Sequence, residues 1–197
     1  MITNALFYLR STIVIGCFSL ISCSQNKGPS SILQDFYTPA EIEDIHIILN
    51  YSDQMFMRYA GINDPAEAYR NFVTAYSKAQ DGKPLFDSLY VDPTSTIHSI
   101  AKGSFYQDTY YVSTFINTQG GVLAPKPDSR YISFLMKLAE EDSFYAEYAE
   151  IIHSASDFTP SLIWGLPNEM CDFDNPDVRT VWAIQFLAIF SRGEELP

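Results

Sequence analysis

Apolar residues recur at helical intervals over most of the chain. Between positions 38 and 60, Ile42, Ile45, Leu49, Phe56 and Tyr59 share one helical face. At 65–79 the stripe is Tyr69, Phe72, Val73 and Tyr76, and a shorter helix is predicted over 93–102. At 129–139 Ile132, Leu135, Met136 and Ala139 face one way; at 143–155 the stripe is Phe144, Tyr148, Ile151, Ile152 and Ala155. The segment 176–192 is apolar most of the way round, with Val178, Val181, Trp182, Ile184, Phe186, Leu187, Ile189 and Phe190. A helix without a polar face belongs at the centre of a domain.

The predicted helix starts carry a shared local signal. A capping residue stands directly before proline at Thr38-Pro39, Asp64-Pro65, Asp92-Pro93, Thr159-Pro160 and Asn175-Pro176. The cap oxygen accepts a hydrogen bond from an orphan first-turn amide, and proline at the first helical position loses nothing by lacking its N–H. Glu41 and Glu67 stand three residues past their caps, the capping-box spacing. Gly61 and Gly103 fit helix ends.

Residues 105–116 are mixed: their Tyr, Thr and Val favour a strand, yet Phe105, Val112, Phe115 and Ile116 fit a helix. An isolated strand has no partner, so helix is the expectation. Residues 117–128 and 164–175 are predicted loops, long enough to suggest a functional role. The fold class that follows is all-α, an irregular multi-helix bundle of about six to eight helices, forming a single helical domain over 36–197.

The first residues have a different texture. Arg10 precedes an apolar run over 11–22, shorter than the roughly 20 residues that cross a bilayer as a helix and suited to a secretory signal. Leu20, Ile21, Ser22 and Cys23 follow, and this tetrapeptide resembles the lipobox of bacterial lipoprotein precursors. The resemblance covers the leader alone. It implies that residues 1–22 are a lipoprotein signal peptide cleaved before Cys23. Diacylglycerol on the Cys23 sulfur and an N-acyl chain are expected, with no other cofactor. Ser24 stands where an Asp retains some lipoproteins in the inner membrane. By analogy this implies a lipid anchor in the outer membrane, with the domain in the periplasm of a bacterial envelope. Residues 23–35, polar and carrying Gly28 and Pro29, are expected to be the lipidated Cys and a flexible tether.

Charge narrows the function. Lys and Arg number 12 against 24 Asp and Glu, a net charge of -12, and cleavage would remove Arg10 to leave 11 bases. Such a chain does not neutralise phosphates, so no nucleic-acid partner is expected. Cys17 would leave with the leader and Cys23 would carry lipid. Cys171 would then be the single free thiol, and the fold would stand on packing without a disulfide.

Candidate chemistry is sparse. Glu43/His46 and Glu150/His153 repeat the Glu-x-x-His spacing of di-iron bundles. On a helical wheel Glu43 lies roughly 140° from its apolar stripe, and Glu150 and His153 lie nearly opposite theirs, so no metal site is expected. Asp172, Asp174 and Asp177 lack the glycine and closing Glu of an EF-hand loop. Cys171 and His98 have no supporting catalytic motif. No serine sits in a nucleophile elbow and no glycine-rich phosphate loop is present.

The expectation is therefore a non-enzymatic, membrane-anchored lipoprotein binding a protein partner, with positive charge as the complement of its acidic body. In size, anchor and acidity it resembles the lipoprotein immunity factors that neutralise antibacterial toxins in the periplasm. Trp164, Glu169, Asp172 and Asp174 are the candidate partner-binding residues. The alternative is a small-molecule or glycan-binding lipoprotein with an aromatic pocket built from Tyr106, Tyr110 and Tyr111.

Overall fold

The computed structural model describes residues 31–79, 83–113, 121–158, 171–192 and 196. Among them the chain runs α1 (Ser31–Phe36), α2 (Pro39–Ala60), α3 (Pro65–Lys78), α4 (Lys83–Leu89), α5 (Thr94–Ile100), α6 (Ser104–Thr109), β1 (Tyr110–Ser113), β2 (Val122–Pro125), α7 (Arg130–Leu138), α8 (Phe144–Ala155) and α9 (Pro176–Phe190). This is an all-α fold carrying one short antiparallel hairpin.

The caps work as their chemistry requires. Thr38 Oγ1 accepts from the Glu41 amide at 3.4 Å while Glu41 Oε2 accepts from the Thr38 amide at 2.9 Å, a complete capping box. Asp64 accepts from the Glu67 amide at 2.9 Å and Asn175 from Asp177 at 2.9 Å. The expected cap at Asp92 is displaced: α5 begins at Thr94 with Pro93 as its N-cap, and Asp92, one residue earlier, accepts from the Thr94 amide at 2.8 Å. Thr159-Pro160 lies outside the described residues. Gly61 ends α2 at φ 69°, and its amide donates to the Met57 carbonyl at 2.9 Å. A Cβ there would meet nothing within 4 Å, so backbone conformation rather than crowding favours glycine.

α9 is buried on every face and packs chiefly against α2, with β2 alongside. Its Phe186 touches Phe56, Phe72, Phe86, Trp182 and Phe190 at ring separations of 5.1 to 6.3 Å. Each such pair adds about 0.5–1.5 kcal/mol to the burial of its area. This aromatic cluster joins α2, α3, α4 and α9.

The packed chain begins earlier than its composition suggests. Residues 31–35, assigned to the tether by their polarity, belong to α1, whose Leu33 is buried and whose Phe36 meets Phe134 of α7 edge-on at 6.5 Å. Six residues with two apolar anchors are too short for periodicity to register. α1 then rotates the buried face of α7. Tyr131, Phe134, Leu135 and Leu138 are inside, and Met136, assigned to the core stripe, is half exposed. In α8 the buried set is Tyr145, Tyr148, Ala149 and Ile152, while Ala155 is exposed.

Residues 105–116 are not one helix. α6 stops at Thr109 and β1 follows, pairing Tyr110 with Pro125 and Ser113 with Val122. The missing strand partner lay inside the predicted 117–128 loop. Lys126 N–H donates to the Thr109 carbonyl at 2.9 Å, so by the two-residue period of the ladder Pro125 falls at a non-bonded position. Its lack of an N–H therefore costs nothing, and proline there is compatible with a strand.

Candidate functional site

The arm before α9 contains two of the four predicted partner-binding residues. Trp164 and Glu169 lie outside the described residues, as does Cys23. Phe173 anchors the arm, fully buried against Trp182 at 5.1 Å and Tyr69 at 5.2 Å. Arg179 reaches back from α9 to donate through Nη1 to the Phe173 carbonyl at 2.6 Å and through Nε to Asp53 Oδ1 at 3.3 Å. With that backbone held, Asp172 and Asp174 face solvent. Asp172 Oδ1 accepts from the Asp174 amide at 3.1 Å, and Asp174 pairs with exposed Arg70 at 3.3 Å. Such a surface pair contributes about 0–1 kcal/mol and leaves the charges accessible.

A second acidic group meets this arm. Glu140, Glu141 and Asp142 form the turn after α7, and Glu147 and Glu150 are exposed on α8. Tyr145 sits between turn and arm. Its phenol is pushed far up, first by burial, then by the Cys171 thiol, Asp142, Tyr148 and Asp172. Asp142 and Asp172 thus act on one phenol although 30 positions separate them in the chain. The sequence signal was the run Glu140-Glu141-Asp142, which no periodicity argument uses. Cys171 lies beside them half-buried. Burial raises its thiol to about 11 against a hydrogen bond from Trp182, and Asp142 raises it further. A thiol protonated at neutral pH is a poor nucleophile.

Beneath the arm lies a buried polar set that sequence reasoning missed. Asp53 is pushed up to about 6 because burial outweighs the charge and hydrogen bond of Arg179 and the bond from Tyr69. The Tyr69 hydroxyl also meets Ser52 Oγ at 2.7 Å. A second network ties the start of α2 to α7. Arg130 holds Glu41 through both guanidinium ends, Nη2–Oε1 at 2.6 Å and Nη1–Oε2 at 3.0 Å, and reaches Asp108 at 3.4 Å. Both networks lock elements together.

The aromatic trio does not line a common pocket. Tyr106 and Tyr110 are buried in the core, and the Tyr110 hydroxyl donates to the Ile184 carbonyl of α9 at 3.0 Å. Tyr111 points the other way along the strand, exposed, its hydroxyl donating to the Ser156 carbonyl at 3.1 Å. Core rings already cover Tyr110, with Phe105 at 6.2 Å and Phe158 at 6.3 Å. Strand alternation is the reason: the cluster read as one helical patch is divided between two faces.

Glu43, Glu150 and His153 are at the surface. Among the described residues no three His, Cys, Asp or Glu side chains gather as metal ligands, and no helix is long and apolar enough to cross a membrane. Comparison with protein-family models, with curated proteins and with solved structures found no match.

Proposed function

We propose that this chain is a lipid-anchored, periplasm-facing, non-enzymatic lipoprotein whose acidic face captures a protein partner, an immunity-type neutralisation of a toxin being the concrete form. The anchor rests on Arg10, the apolar run and Leu20-Ile21-Ser22-Cys23. Capture rests on one observation: Asp142 and Asp172, from two separate connections, converge on Tyr145, with exposed Glu140, Glu141 and Glu147 in the adjoining turn and helix. Meanwhile Arg70, Arg130, Arg179 and Arg192 are each engaged with an acid. Lys137 pairs with Glu140 and Arg70 with Asp174, so the face carries an acidic excess; such an excess raises the encounter rate with an oppositely charged partner and loses that advantage in salt.

The test combines Glu169→Lys, Asp172→Lys and Asp174→Lys and measures cross-linked capture in the cell envelope. Capture falls while the melting temperature holds; unchanged capture removes this arm from the interface. Palmitate labelling tests the anchor independently, with label in the wild type and none in Cys23→Ala.

A further inference from the structure

We propose that the outer edge of β1 is a strand-addition site for an extended, basic segment of a protein partner. The inference rests on the protein-capture reading but names a surface other than the acidic arm. Its basis is the direction of the backbone groups. Thr109 accepts from Lys126 N–H at 2.9 Å, which makes 109/126 a bonded pair of the antiparallel ladder. Bonded pairs alternate, so 111/124 and 113/122 face inward. In the register Tyr110↔Pro125 and Val112↔Leu123, the main-chain groups of these four residues point outward.

Two observations agree with that parity. Pro125 has no N–H to lose, and Leu123 N–H turns away from β1 to Ser191 Oγ of the chain after α9 at 3.4 Å. The outer edge of β2 is therefore covered by α9. On β1 the Tyr110 amide is taken by the Tyr106 carbonyl, the C-cap bond of α6. Tyr110 is buried, so the open groups are those of Val112, 39% exposed, whose main-chain N–H and carbonyl have no hydrogen-bond partner among the described residues. A donor and an acceptor on one residue are met together by an extended backbone.

The side chains mark the same place. Tyr111 and Val112 are adjacent on this edge, and they are two of the four exposed large hydrophobic residues among those described. Native edges are blunted by shortness, charge, proline or a bulge. β1 is four residues long and reads Tyr-Tyr-Val-Ser, with no charge or proline. The occupant follows from charge. A second copy would bring another strongly acidic body, the chain carrying -12, to the edge, whereas a segment bearing Lys or Arg is attracted.

The probe is a synthetic peptide alternating Thr and Val between terminal lysines, titrated into the isotope-labelled protein up to about 1 mM, the weak end of measurable affinity. Saturable shifts are expected at Tyr111 and Val112, with Val112 amide exchange slowed at least about tenfold, which corresponds to about 1.4 kcal/mol of protection. The same peptide N-methylated on alternate residues keeps its side chains but cannot complete a ladder, so it shows no binding. A glutamate-flanked version binds at least about tenfold more weakly. Val112→Pro removes the outward N–H at a position equivalent to Pro125, and it abolishes binding while melting is retained.

Absence of shifts, or equal binding of the N-methylated peptide, overturns the proposal. So does concentration-dependent dimerisation abolished by Val112→Pro, which makes the occupant a second copy. If envelope cross-linking captures a partner and Val112→Pro captures it equally, the edge is refuted and the capture reading stands. If the wild type captures no partner yet the peptide binds as described, the capture reading fails instead.

Discussion

Removing Arg130 tests how the start of α2 is fastened to α7. Glu41 is 3% exposed and accepts from the Thr38 amide and hydroxyl at 2.9 Å each, Ser104 Oγ at 2.7 Å and both ends of Arg130. Arg130→Met keeps the aliphatic bulk and leaves a buried carboxylate with neutral donors only. Breaking a buried pair by removing one partner costs about 3–5 kcal/mol. Arg130 is itself 37% exposed, so water replaces part of its interaction, and the expected loss is about 2–3 kcal/mol. In a chain of this size that lowers the melting temperature by about 4–12 °C.

The pH dependence supplies a second readout. Arg130 is the largest cause holding the Glu41 carboxyl far below its ordinary 4.5, with the Thr38 and Ser104 donors assisting and burial opposing. A depressed carboxylate contributes stability that is fully present above its unfolded pKa and lost as pH falls toward the folded one. The gap between wild type and Arg130→Met is therefore widest at neutral pH and shrinks below about pH 4.5. Urea unfolding followed by Trp fluorescence at pH 7 and pH 3.5 measures both. A loss under about 0.5 kcal/mol at pH 7, the size of an ordinary surface substitution, or a gap that does not change with pH, refutes the clamp.

Other expectations follow from single contacts. Asp53 has a raised folded pKa, near 6 against 3.8, so its contribution is present at low pH and lost as pH rises through about 6; Asp53→Asn flattens the denaturation midpoint between pH 4 and 6, and an unchanged slope counts against it. Thr109 is fully buried and its Oγ1 has no hydrogen-bond partner among the described residues. Thr109→Val is thus neutral or stabilising by about 1 kcal/mol, and a clear loss in thermal melting would show that the hydroxyl is satisfied. Phe186→Ala opens the six-ring cluster centred on α9 and costs about 3–5 kcal/mol by urea titration; a cost below about 1 kcal/mol would mean that the rings repack around the gap.

Much of this architecture is written in short stretches of chain. Thr38, Asp64 and Asn175 cap helices because each cap bond spans only two or three residues, and such bonds depend on local chemistry. α9 announces its central place because it has no polar face to turn outward. The lipobox-like tetrapeptide Leu20-Ile21-Ser22-Cys23, on which the proposed anchor rests, is likewise a local pattern.

Packing decided the rest. The stripe of α7 is rotated by α1, which six residues do not advertise. β1 could be assigned only with β2, across a connection whose composition suggested loop. Tyr111 parts from buried Tyr110 because the chain changes from helix to strand after Thr109, and successive strand residues face opposite sides. The locking pairs join residues 89 and 126 positions apart, Glu41 with Arg130 and Asp53 with Arg179, and Asp142 and Asp172 act on one Tyr145 phenol from two distant connections. Caps and periodicity are properties of a few consecutive residues. Buried charge pairs, ladder partners and a shared acidic face exist only once distant segments are brought within several ångströms, and that distance is set by the whole core.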